Sequence, residues 1–103
     1  MIAIFLALAA PVTSAPQTDS RLIFGVGGSS CATMLLPAND VSLVDWVLGF
    51  WTGMNADAPF MVGSTSDPRG VVEEVKLVCR AQPSITLARA GFQTYQRLKG
   101  ERR

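Results

Sequence analysis

Apolar residues in this chain come in runs of different period, and Pro and Gly mark the breaks between them. The run from Ile2 to Ala10 is apolar without interruption and stops at Pro11. It falls well short of the ~20 residues that cross a bilayer as a helix. Small residues follow at Thr13-Ser14-Ala15, so residues 1–15 are expected to be a secretory signal peptide cut after Ala15, although no Lys or Arg precedes the apolar run. Residues 16–30 show no sustained period and are expected to be a flexible lead-in. They run from polar Pro16-Gln17-Thr18-Asp19-Ser20 through a short apolar patch, Leu22-Ile23-Phe24, to the turn-like Gly25-Val26-Gly27-Gly28-Ser29-Ser30. That last stretch is rich in Gly, but neither a Gly-Lys-Ser/Thr step nor a strand–helix unit frames it as a phosphate-binding loop.

From residue 31 to residue 100 the pattern is helical, and the expected fold is all-α: a small bundle of three main helices with a short helical turn near Cys31. Cys31 to Leu36 has room for one or two turns before Pro37. Asn39, Asp40 or Ser42 is placed to cap a helix over about residues 41–55. That helix is apolar on nearly every side, through Leu43, Val44, Trp46, Val47, Leu48, Phe50, Trp51 and Met54. Such a helix is buried on most sides or lends one side to a partner. Gly49 and Gly53, four residues apart, define a face on which a neighbouring helix is expected to approach closely.

Residues 56–67 read as a loop that holds the apolar Ala58-Pro59-Phe60-Met61-Val62 and then Gly63-Ser64-Thr65-Ser66. Ser66 or Asp67 is expected to cap a second helix with Pro68 at its first position, running to about Arg80. Val71, Val75, Val78 and Cys79 share one face of it, and Glu73-Glu74 breaks the alternation a strand would need. After Gln82-Pro83, Ser84 is the expected cap of a third helix. Its stripe is Ile85, Ala88, Phe92, Tyr95 and Leu98, and Gly100 is its expected end. Residues 101–103 are a charged tail.

Nine basic and eight acidic groups leave the chain at +1, without the basic excess of a nucleic-acid binder. There is no histidine, which removes the usual general base and the commonest metal ligand. Glu73 and Glu74 are neighbours on a helix and point apart, so they are a poor two-carboxylate pair. The chain is therefore not expected to be an enzyme, and neither a cofactor nor a metal is expected. Cys31 and Cys79 are its only cysteines. Behind a secretory signal they enter an oxidising compartment, where one disulfide between them is the simplest outcome. A domain this small is marginally stable without such a staple.

Trp46, Phe50 and Trp51, with Phe60 and Met61 in the following loop, are the candidate partner or client surface. The alternative, that the helix aromatics fill the core, stays open at this point. Arg89, Gln93 and Arg97 form a polar stripe on the third helix.

One sequence pattern has a counterpart among known families. It comprises Cys31, the run Trp-Val-Leu-Gly-Phe-Trp-Thr-Gly-Met-Asn at 46–55, an acid-capped helix ending in Val-Cys-Arg-Ala-Gln-Pro at 78–83, and Leu-Ala-Arg-Ala at 87–90. Over about residues 30–98 the chain resembles the HdeA/HdeB-like periplasmic proteins. The resemblance implies a helical domain whose disulfide joins the segment before the first long helix to the end of the second. It also implies a homodimer in the Gram-negative periplasm that loosens in acid and exposes apolar surface to unfolding client proteins. In strong acid the eight carboxylates are neutral and the side-chain charge rises from +1 to +9, which opposes the compact state. The chain also resembles the Tai-type immunity proteins of type VI secretion, which are small, exported, helical and disulfide-bonded. That resemblance implies a protein that binds one toxin and blocks it. Neither reading calls for nucleic acid or for a membrane span once the signal is removed.

Overall fold

The computed structural model describes residues 23–59, 61–63 and 67–101. The expected signal peptide, the first part of the lead-in, Phe60 and the end of the charged tail lie outside the described residues.

The fold is all-α. A one-turn helix α1 (Cys31–Met34) precedes three long helices, α2 (Asp40–Ala56), α3 (Pro68–Ala81) and α4 (Leu87–Glu101), and short 3-10 turns occupy Gly25–Gly28 and Pro37–Asn39. Local chemistry sets most of these ends. The Ser30 hydroxyl accepts from the Thr33 amide at 3.2 Å and so caps α1. Pro37 starts the 3-10 turn that leads into α2. Asn39 stands at the N-cap of α2, yet its side chain donates instead to the Thr33 carbonyl at 2.8 Å, which ties α2 to α1. Asp40 and Ser42 lie inside the helix rather than at its cap. For α3, the Asp67 carboxylate accepts from the Gly70 amide at 2.7 Å, with Pro68 at the first position.

The start of α4 differs from expectation. Ser84 is not its cap. The Thr86 hydroxyl accepts from the Arg89 amide at 3.1 Å, and the helix begins at Leu87. The reason is a non-local pairing. Ala32 N–H donates to the Pro83 carbonyl at 2.9 Å, Cys31 N–H to Ile85 at 2.7 Å, and Leu87 N–H to Ser29 at 2.9 Å. Residues 83–86 form a turn, closed by Ile85 N–H donating to the Gln82 carbonyl at 3.2 Å, that is held by the end of the lead-in and stays outside the helix. At the other end α4 runs through Gly100 to Glu101.

α3 runs antiparallel to both α2 and α4: Lys76 meets Asp40 at 2.6 Å, and Arg97 pairs with Glu74. α2 and α4 advance side by side in the same direction, Phe50 facing Gly91 and Asn55 facing Tyr95. The core takes Leu43, Val47 and Trp51 from α2, Val71, Val72, Val75 and Cys79 from α3, and Leu87, Ala90, Tyr95 and Leu98 from α4. Phe92, expected in the buried stripe of α4, is 37% exposed. The small residues Ala90, Gly91 and Thr94 are buried in its place and let α4 lie close to its neighbours.

Cys31 and Cys79 form a disulfide with 5.0 Å between their Cα atoms, and both are fully buried. The bond fastens α1 to the last turn of α3 across 48 residues of chain. Among the described residues, no helix is long and apolar enough to cross a membrane.

Two outcomes follow. The double substitution Cys31→Ser/Cys79→Ser lowers unfolding stability by about 4 kcal/mol, read as a fall in urea midpoint. Thr86→Ala lowers it by about 1 kcal/mol, whereas Ser84→Ala stays within about 0.5 kcal/mol of the parent.

Candidate functional site: a groove between α2 and α4

α2 carries two tryptophans five residues apart, which places them about 140° apart around the helix. They therefore serve different surfaces. Trp51 is in the core, 5% exposed, with its ring edge-on to Tyr95 at 5.0 Å. Its indole N–H donates to the Val62 carbonyl at 2.8 Å. Asn55 completes that side: its Oδ1 accepts from the Tyr95 hydroxyl at 2.7 Å and from Val62 N–H at 3.1 Å, and its Nδ2 donates to the Val62 carbonyl at 3.2 Å. Gly63 follows in the left-handed region at φ +83°, where an added Cβ would stand 3.1 Å from the indole nitrogen. Burial raises the Tyr95 phenol above its ordinary pKa.

Trp46 repeats the device on the other side. Its indole N–H donates to the Phe24 carbonyl at 2.9 Å, and Gly25 follows at φ +74°. Gly27 is buried under the indole, and any side chain there would overlap the ring. The described part of the lead-in is thus an ordered strap across Trp46, in place of the flexible turn its Gly content predicts.

Beyond the strap, Trp46 stacks on Phe50 with ring centroids 5.2 Å apart and planes 14° from parallel. Phe50 in turn lies on Gly91, where a Cβ would come within 3.3 Å of the ring. This stack floors a groove of about 620 Å³ between α2 and α4. Gly49 and Met54 continue its α2 wall, Ala88 and Phe92 form its α4 wall, and Ile23 and Phe24 close one end. Asp45 stands on the α2 side and Arg89 on the α4 side, both exposed. The volume falls within the ~300–1,000 Å³ of ordinary binding clefts, and the lining is of the same apolar, aromatic kind.

The structure divides the sequence-predicted surface. It brings Trp46, Phe50 and Gly49 together in the groove. It puts Trp51 in the core and Met61, 54% exposed, beside it at a shallower depression of about 360 Å³ on the opposite side of α2. Phe60 lies outside the described residues. Among the described residues no helix approaches closely at Gly49 or Gly53: a Cβ at either position would meet none of their atoms within 4 Å. The glycine that admits a neighbour is Gly91, on the facing helix, so Gly49 leaves open space instead of making contact. Sequence reasoning missed Phe24, Gly27 and Gly91, whose roles depend on Trp46 or Phe50, residues distant along the chain. Among the described residues no group of three or more His, Cys, Asp or Glu side chains is placed to hold a metal ion.

Comparison with protein-family models, with curated proteins and with solved structures finds no significant match for this chain.

Gly27→Ala is expected to destabilise by about 1–3 kcal/mol through displacement of the indole, whereas Gly28→Ala, whose Cβ meets nothing within 4 Å, is near neutral. Thermal melts of the two variants check this. Tyr95 is the only tyrosine, so a phenolate absorbance titration reports it alone. The folded-state pKa is raised, so the stability tied to the neutral phenol is fully present below its unfolded value near 10 and is lost as pH climbs above it. Ionisation is expected above pH 10, accompanied by loss of helical signal.

Proposed function

We propose that this chain is a non-enzymatic, exported protein-binding domain that receives apolar segments of other proteins in the α2–α4 groove and acts as an acid-stress chaperone of the HdeA/HdeB-like kind. The observation that carries the reading is the Trp46–Phe50 stack: the two rings pack partly against the core, are only half-buried, and floor an open apolar groove. Periplasmic residence is supported by the signal-like residues 1–15 and by the pairing of both cysteines.

An acid response has a physical basis in how the helices are joined. Lys76 of α3 pairs with Asp40 of α2, and Arg97 of α4 pairs with Glu74 of α3. Protonating these carboxylates removes links between all three long helices. Exposed pairs contribute only about 0–1 kcal/mol each, so the larger effect is repulsion among the nine remaining cations. The disulfide would keep α1 and α3 tethered while α2 and α4 part and extend the apolar surface.

A second reading is an immunity-type inhibitor of a single toxin. It is favoured by a groove that is already open in the folded protein and needs no loosening. Stoichiometric capture of one protein at neutral pH, lost on Gly49→Leu, is the outcome that would replace the first reading with this one.

For the chaperone reading, the purified protein at pH 2–3, where carboxylates are protonated, is expected to suppress light scattering by an aggregating client and to lose part of its helical packing. A protein that stays fully folded and leaves the scattering unchanged would reject it.

A further inference from the structure

The groove carries charge as well as apolar surface, and the two charges are sorted by wall. Asp45 is the acid of the α2 side and Arg89 the base of the α4 side. Among the described residues neither takes part in an ion pair, although Asp40, Glu73, Glu74, Lys76, Arg80 and Arg97 all do. Both are exposed, and both line the groove together with the Trp46–Phe50 floor. From Asp45 to Met54 the α2 wall is about 14 Å long, or two and a half helical turns. A groove of that length with an aromatic floor, one acid on one wall and one base on the other matches a helix that has a single apolar stripe and opposite charges on its two flanks.

Resting on the protein-binding reading above, we propose that the occupant of this groove is an amphipathic helix of another protein, its apolar i, i+4, i+7 residues on Trp46 and Phe50, a Lys or Arg flank against Asp45 and an Asp or Glu flank against Arg89. The two walls fix the direction in which the helix lies. Turning it end for end would bring its basic flank to Arg89 and its acidic flank to Asp45. A helix with the same charge on both flanks meets repulsion on one wall whichever way it lies. The charges thus select partners with mixed flanks and set their polarity, while the aromatic floor provides the attraction.

The test uses three soluble helical peptides with an identical apolar stripe, no aromatic residues, and flanks that are Lys/Glu, Lys/Lys or Glu/Glu, titrated calorimetrically into the purified protein at pH 7. The mixed peptide is expected to bind roughly three- to tenfold tighter than either like-charged one, as exposed charge pairs allow, and the difference is expected to collapse in ~1 M salt. Arg89→Glu makes both walls acidic and should transfer the preference to the Lys/Lys peptide, and Asp45→Lys should transfer it to the Glu/Glu peptide. Both positions are exposed, and circular dichroism verifies that the variants fold. Equal binding of all three peptides, abolished by Gly49→Leu, would overturn the charge selection and leave the groove as the protein-binding site. If no peptide binds, or if the protein self-associates through the groove and Gly49→Leu dissociates it, the helix occupant is overturned, and the acid assay above separately decides the chaperone reading.

Discussion

A 17-residue helix with apolar side chains on nearly every side asks for more cover than its long neighbours of 14 and 15 residues and the short turns beside them provide. α2 imposes this constraint, and the rest of the molecule is arranged around it. The stripe Leu43, Val47, Trp51 takes the core. What remains, Trp46 and Phe50, is met by whatever chain is left: the strap at residues 23–28 on one flank and Gly91 of α4 beneath. Among the described residues the cover ends there, and the groove is the part of α2 that they do not enclose. Its apolar lining is therefore a consequence of the fold's size, and the partner surface proposed above would need no extra element to build it.

Both tryptophans secure the loops that pass over them by the same means. Each indole donates to the carbonyl of the residue just before a glycine at positive φ, Phe24–Gly25 for Trp46 and Val62–Gly63 for Trp51. A side chain at either glycine would be strained in the left-handed region. The strap also depends on the disulfide. Its far end continues into Ser29 and Cys31, whose backbone groups pair with Leu87 and Ile85 and whose sulfur reaches Cys79. One joint therefore sets where α4 begins and also anchors the chain that covers Trp46.

Much of this fold was legible in the sequence. α2 was expected over about residues 41–55 and spans Asp40–Ala56, and α3 was expected from Pro68 to about Arg80 and ends at Ala81, because Pro37, Asp67 and Pro68 act locally. The three-helix, all-α architecture and the Cys31–Cys79 bond were likewise readable. The start of α4 was not. Thr86 became its cap only because residues 83–86 are drawn into pairing with a segment more than fifty positions earlier. The site was half legible. Trp46 and Phe50 stood out as aromatics, and helical geometry separates Trp46 from Trp51, but periodicity does not say which of two apolar faces is covered. Gly49 and Gly53 marked where a backbone had room to approach, and among the described residues none does. The lead-in misled for a related reason: a run of glycines reads as flexible unless a large ring elsewhere in the chain requires their lack of side chains.

The central claim is that α2 turns Trp51 to the core and leaves Trp46 and Phe50 to a partner. The two indole N–H signals in a proton–nitrogen NMR spectrum report on it separately. On titration with a helical peptide that bears one apolar stripe, the account predicts that the Trp46 indole signal shifts and saturates while the Trp51 signal stays in place. Movement of the Trp51 signal, or no change in either at saturating peptide, would contradict it.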